Sequence, residues 1–171
     1  MKIIQLLIAT LFIVTLSLAS DKEDALKGII LNRVSQFISY RETEEAFVIC
    51  VYDNKRMYKT LYSLYENKEY KKRKIRIIHT KAKVLLPSCD VLYVSNPSKE
   101  LSKKLTKSLQ QYTLLVSDSI DSLDDGFMLA LYLKDNKVNI AINQQALLDA
   151  DLKVNYRLLK VASKVINPVK N

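Results

Sequence analysis

A three-layer α/β domain with a largely parallel sheet, closed by a C-terminal hairpin and two helices, is the fold this sequence predicts. Three observations carry it. Short, almost wholly apolar runs at residues 46–53, 75–79, 89–95 and 112–117 read as strands buried on both faces. Helical stripes at residues 56–66 and from Asn96-Pro97 onward stand between them. In the last third, two β-prone runs flank a tight turn, after which the apolar period changes from two to about 3.6.

Residues 1–19 have the form of a secretory leader. Lys2 supplies the positive start, residues 3–18 the apolar stretch, and Ser17-Leu18-Ala19 a small-x-small cleavage site. Gln5, Thr10, Thr15 and Ser17 interrupt the stretch, whereas a permanent span wants about 20 apolar residues. Cleavage after Ala19 is the expectation, with an uncleaved anchor as the alternative. It leaves residues 20–171 as one domain with no further run of spanning length. A chain of that size buries about 68–70% of its extended surface.

The domain opens with a helix at residues 21–40. Leu26, Ile29, Ile30, Val34, Phe37 and Ile38 are assigned to its inward face, and Lys22, Lys27, Asn32 and Gln36 to the opposite one. An acidic turn at 42–45 leads into the first strand. The helix at 56–66 turns Met57, Leu61 and Leu64 inward. The strands at 75–79 and 89–95 follow. Asn96-Pro97 is read as a helix start, proline costing nothing at the first helical position, with Leu101, Leu105 and Leu109 on one stripe. The strand at 112–117 gives way to a polar, acidic loop ending at Asp125. Runs 127–133 and 137–142 then form a hairpin about Asp135-Asn136, a pair that tolerates left-handed backbone. Asn143 caps a short helix. Asn155 caps a second, longer one carrying Leu158, Leu159, Val161, Ala162, Val165 and Ile166. The order resembles a Rossmann-like wrap, a likeness of shape that implies no function.

The closing run resembles the C-terminal signature of the YfiR-type family of small periplasmic proteins. The matching residues are Gly126-Phe127-Met128, Ile142-Asn143, Ala146, Leu152-Lys153, and Leu158-Leu159 with Ala162. Where that pattern usually closes the first helix with Trp-Pro, this chain has Tyr40-Arg41. The resemblance implies a dimer-forming periplasmic repressor whose redox state affects its hold on its partner. That partner would be the periplasmic sensor domain of a membrane-bound diguanylate cyclase, so that binding restrains cyclic di-GMP synthesis and biofilm formation.

Composition is globular, 49% hydrophobic and 26% charged, with a net charge of +9. Such a balance favours an acidic protein, an anionic membrane or nucleic acid, and does not choose among them. An exported chain rarely meets nucleic acid. Within the densest charge run, residues 69–76, Lys71, Lys72 and Arg73 are candidates for docking an acidic partner. The competing explanation is an edge strand, Lys74-Ile75-Arg76-Ile77, guarded against mispairing by its charges.

Catalytic chemistry finds little footing. The turn after the first strand, Asp53-Asn54-Lys55-Arg56, has none of the glycines a phosphate cradle needs, and the whole chain has two. His79 is the single histidine, at the end of an apolar strand, without the partners of a triad or a zinc site. Asp118, Asp121, Asp124 and Asp125 lack the alternating ligands and closing glutamate of a calcium loop. No catalytic residue, metal or cofactor is therefore expected.

Cys50 and Cys89 are an even pair on an exported chain, in strands that lie side by side if the wrap reverses after the first strand. A disulfide is favoured over two independent buried thiols, and the family resemblance also implies one. The expected function is that of a regulatory binding protein. Its rivals are a small-molecule receptor on the same fold and a thiol-redox enzyme, the latter disfavoured by the absence of a C-x-x-C pair.

Overall fold

Local sequence places the elements much where the patterns put them, and long-range contacts decide which faces they bury. The computed structural model describes residues 20–81, 89–108 and 111–168; the leader and Leu109 fall outside the described residues. Helix α1 covers residues 20–35. It is followed by β1 (Ile38–Ser39), β2 (Phe47–Tyr52), α2 (Lys55–Tyr65), β3 (Glu69–Tyr70), β4 (Arg73–Thr80) and β5 (Val91–Val94). Then come α3 (Lys99–Ser108), β6 (Leu114–Ser117), a 3-10 helix (Ile120–Asp125), β7 (Leu129–Lys134) and β8 (Lys137–Asn143). The chain closes with α4 (Gln144–Asp149), β9 (Lys153–Val154), α5 (Tyr156–Val161) and β10 (Lys164–Ile166).

Eight strands form one sheet in the order β10-β8-β7-β6-β5-β2-β4-β3. The four central strands β6, β5, β2 and β4 pair in parallel, as do β7 with β6 and β10 with β8. The hairpins β7–β8 and β3–β4 are antiparallel, so the sheet is mixed. From β2 the chain steps outward to β4, then returns to the other side for β5 and β6. The strand order therefore reverses between β2 and β5. The core is the apolar filling of these strands: Val91, Leu92, Leu114, Leu115 and Val116 are fully buried, together with Met57 and Leu61 of α2.

Several local signals act as the sequence predicts. Asp135 and Asn136 take φ of 51° and 57° and close the β7–β8 hairpin. Asn143 caps α4, its side chain accepting from the Ala146 N–H, and Asn155 caps α5 by accepting from Arg157 N–H.

Four expectations are corrected. The long final helix stops at Val161, because Ala162 is extended (φ −69°, ψ 136°). Val165 and Ile166 instead lie in β10, registered against Ile142 and Asn143 of β8. The bare edge of β8 offers these β-branched residues a ladder that a solvated helix does not. Helix α3 begins at Lys99 rather than Pro97: Asn96 is left-handed (φ 40°), and the Ser98 hydroxyl accepts from Leu101 N–H. Part of the acidic loop before β7 is a 3-10 helix, closed by Gly126 at φ 94°.

The fourth correction concerns α1, which ends at residue 35 rather than 40, leaving Phe37 just beyond it and Ile38 in β1. Leu26, Ile29 and Phe37, assigned inward by periodicity, are 43%, 43% and 37% exposed, while Lys27 is 4% exposed. Helix α1 packs through Gly28, where an added Cβ would lie 2.8 Å from Leu64 Cδ1 and 3.1 Å from Leu61 Cδ2. Tyr65 donates its hydroxyl to the Gly28 carbonyl at 2.6 Å. Close approach at a glycine rotates the helix so that Asp24, Lys27, Leu31 and Val34 face inward.

Candidate functional site

In an open α/β sheet the usual ligand crevice lies at the carboxyl ends of the strands, where their order reverses. Here that place is filled by the chain itself. Asn54 donates to Ser95 Oγ at 2.5 Å across the β2–β5 boundary. Over it, Asp24 of α1 accepts from Arg56 Nε at 2.6 Å. Lys27 Nζ reaches Glu23 at 2.6 Å and Asp118 at 3.6 Å. Asp118 in turn accepts from Asn96 N–H at 2.5 Å. Burial pushes the Tyr93 phenol well above its ordinary value, with Asp118 and Asp24 adding repulsion. This end is a charged plug.

The opposite, amino end of the strands carries the open cleft. Parallel register sets Val48 of β2 beside Arg76 of β4. Asp90 N–H donates to Val48 O at 2.9 Å, and Leu114 N–H to Asp90 O at 2.8 Å, so Arg76, Val48, Asp90 and Thr113 come abreast. The β3–β4 turn, with Lys71 and Lys72 both left-handed (φ 47° and 70°), then swings Arg73 inward over this row. Arg73 donates from Nε to Glu45 O at 2.7 Å and from Nη2 to Ala46 O at 2.9 Å. The same Nη2 lies 3.0 and 2.9 Å from the two carboxylate oxygens of Asp90. Asp90 Oδ2 also accepts from Val48 N–H at 2.8 Å.

Arg73 is thus 10% exposed and spent on the fold. Of the three candidate docking cations, Lys71 and Lys72 stay exposed, Lys71 Nζ lying 5.3 Å from the centre of the Tyr70 ring. Arg73 leaves that group, because its guanidinium is nearly buried and bonded to two carbonyls and one carboxylate. The signal for this was absent locally: nothing near Arg73 in sequence foretells Asp90, seventeen residues on.

Cys50 and Cys89 are joined, their Cα atoms 5.8 Å apart. Cys89 precedes β5 rather than belonging to it, so the bridge holds the approach to that strand against β2. The Cys89 carbonyl accepts from Thr113 Oγ1 at 2.8 Å. Above this floor opens a cleft of about 470 Å³, walled by Arg41, Thr43, Glu45, Arg76, Gln111 and Tyr112. Arg41, which stands in this chain in place of the usual proline, reaches the cleft, while Tyr40 sets its ring edge-on to Phe47 at 5.1 Å.

The C-terminal signature residues lie elsewhere and hold the scaffold. Asn143 donates from its backbone to Met128 O at 2.9 Å and from its side chain to Leu123 O at 3.0 Å, besides capping α4. Gly126 takes a left-handed turn in which a Cβ would meet Thr106 Cγ2 at 3.0 Å. Ile142, Leu152 and Leu158 are buried, Leu159 and Ala162 half-buried, and Lys153 is exposed opposite Ser39. His79 packs 5.6 Å from the Tyr58 ring with its Nε2 buried. Among the described residues no cluster of three His, Cys, Asp or Glu side chains could hold a metal, and no helix is long and apolar enough to cross a membrane.

These features define an α/β domain with a polar cleft at the amino ends of its strands and a nucleotide-type crevice closed by its own first helix. The sequence matches the family model DUF4154, YfiR/HmsC-like, over residues 24–163, and the chain belongs to that family. Membership points to a periplasmic regulator of diguanylate cyclase signalling. No curated protein sequence matches the chain. A solved structure to which it is similar is the "ABC domain in complex with L-Trp from Streptococcus pneumonia", at 10% identity and a TM-score of 0.49. The likeness covers 71% of this chain, which spans about half (55%) of that one.

Proposed function

We propose that this protein represses an inner-membrane diguanylate cyclase by binding its periplasmic sensor domain, lowering cyclic di-GMP. The observation that carries the reading is the family match over residues 24–163. In this reading residues 1–19 are a leader removed after Ala19, and residues 20–171 act as one exported domain, alone or as a homodimer. The exposed Leu26 and Ile29 on α1 and Phe37 just after it, together with a net charge of +9, suit a protein that docks on another. Repression needs no chemistry. It needs preference for the inactive state of the target, and about 5.5 kcal/mol swings a two-state receptor from nearly all on to nearly all off.

Deleting the gene should raise cellular cyclic di-GMP and surface attachment, and deleting the partner cyclase as well should abolish that rise. Unchanged cyclic di-GMP, with protein expressed and cyclase active, overturns the repressor reading. The 470 Å³ cleft favours a second reading, a small-molecule receptor that acts without a cyclase. Mass spectrometry of periplasmic protein tests the leader; a retained Met1 in the membrane fraction would mean an anchor.

A further inference from the structure

We propose that the cleft at the amino ends of the parallel strands is a binding site for a small multivalent anion, a polycarboxylate or a phosphate, held between Arg41 and Arg76. This goes beyond the repressor reading and does not depend on it. Four observations converge.

First, the cleft has the size of a ligand site: about 470 Å³, within the roughly 300–1,000 Å³ that small-molecule pockets occupy. Second, its charges do not cancel within the fold. Asp90 is consumed by Arg73, which makes hydrogen bonds to both carboxylate oxygens and to two carbonyls besides. Arg41 and Arg76, in contrast, are exposed and have no ion pair among the described residues. Glu45 is the remaining carboxylate on the wall, one negative charge against two positive.

Third, uncharged donors stand beside them. The Thr43 hydroxyl oxygen accepts from Glu45 N–H at 3.2 Å, which leaves its hydrogen free to donate, and Gln111 contributes an amide. Fourth, the floor is built into the sheet. Arg76 is held in the β2–β4 ladder opposite Val48, and the cleft floor is braced by the Cys50–Cys89 bridge and the Arg73–Asp90 pair. A preformed site spends little binding energy on ordering itself.

A guanidinium recognises carboxylate and phosphate oxygens by the same two-pronged geometry, so the two anion classes share one chemistry here. A multivalent anion can offer each arginine its own charged oxygens, whereas chloride brings one charge and no two-pronged acceptor.

Isothermal titration of the purified protein with citrate, and separately with inorganic phosphate, at constant ionic strength tests this. Saturable one-to-one binding is expected for at least one probe, the tighter one identifying the class. R41Q and R76Q, each removing an exposed guanidinium, should weaken it about tenfold or more, since a charge-assisted hydrogen bond is worth roughly 1.5–3 kcal/mol. K71Q/K72Q, which lies outside the cleft lining, should leave it within twofold. No saturable binding of either probe, or binding that survives R41Q and R76Q unchanged, overturns the proposal. Neither result bears on cyclic di-GMP levels in the deletion strain, so the site and the repressor reading fail separately.

Discussion

Arg73 and Asp90 form a nearly buried pair, one guanidinium nitrogen 3.0 and 2.9 Å from the two carboxylate oxygens. Around that contact the β3–β4 turn, the entry to β2 and the entry to β5 are bound together. Glu45 and Ala46 offer their carbonyls to the arginine, and Val48 its N–H to the aspartate. With 10% and 15% of the two side chains exposed, removing either partner strands the other charge in a poorly solvated place.

Asp90→Ala should therefore destabilise the protein by about 3 kcal/mol, the low end of what breaking a buried pair costs. Urea unfolding measures it. A loss below about 1 kcal/mol would show that water reaches the pair and that Arg73 is less committed to the fold than its contacts indicate.

The Cys50–Cys89 bridge closes a 39-residue separation, and no free cysteine is present among the described residues. Thiol labelling of unreduced, unfolded protein should find no reactive cysteine. Cys50→Ala/Cys89→Ala should lose roughly 4 kcal/mol on the chain-entropy account of a loop that long. Two labelled thiols per chain would contradict the pairing.

Lys71 and Lys72 can be tested as docking charges without disturbing the core, which a triple substitution including Arg73 cannot. K71Q/K72Q should weaken association with the periplasmic domain of the proposed cyclase partner and flatten its salt dependence, since rim charges act through screened attraction. Binding by K71Q/K72Q that matches wild type at both low and high salt would assign the two lysines to the β3–β4 turn alone.

Tyr65 is a pH probe of the α1–α2 contact. Burial pushes its phenol up to about 12, where its ordinary value is 10.0. The folded state thus holds the proton more tightly than the unfolded chain. Its contribution is complete below pH 10 and is lost as pH rises from 10 to about 12. Tyr65→Phe, which also gives up the 2.6 Å bond to Gly28, should lower stability at neutral pH and remove that part of the alkaline decline. An identical alkaline limb in wild type and Y65F would place the transition on another group.

Features whose causes are local could be read directly from the chain. Asp135-Asn136 encodes a tight turn in two residues, and Asn143 and Asn155 encode helix starts within three. The central strands were legible because continuous apolar runs have no solvated face to spare. The C-terminal signature was legible too, though not its purpose: Asn143 earns its place by joining the hairpin, the 3-10 helix and α4. Long-range contacts settled the rest. Apolar periodicity turned Leu26, Ile29 and Phe37 inward. The close approach at Gly28 and the contact of Lys27 with Asp118 turned the helix the other way. Val165 and Ile166 read as helix until the edge of β8 claimed them. Arg73 read as a surface cation until Asp90 and two carbonyls enclosed it. In each case the deciding partner lies far off in sequence or in another element, and the energy of a buried charge or a completed ladder exceeds the few tenths of a kcal/mol by which local propensity distinguishes the alternatives.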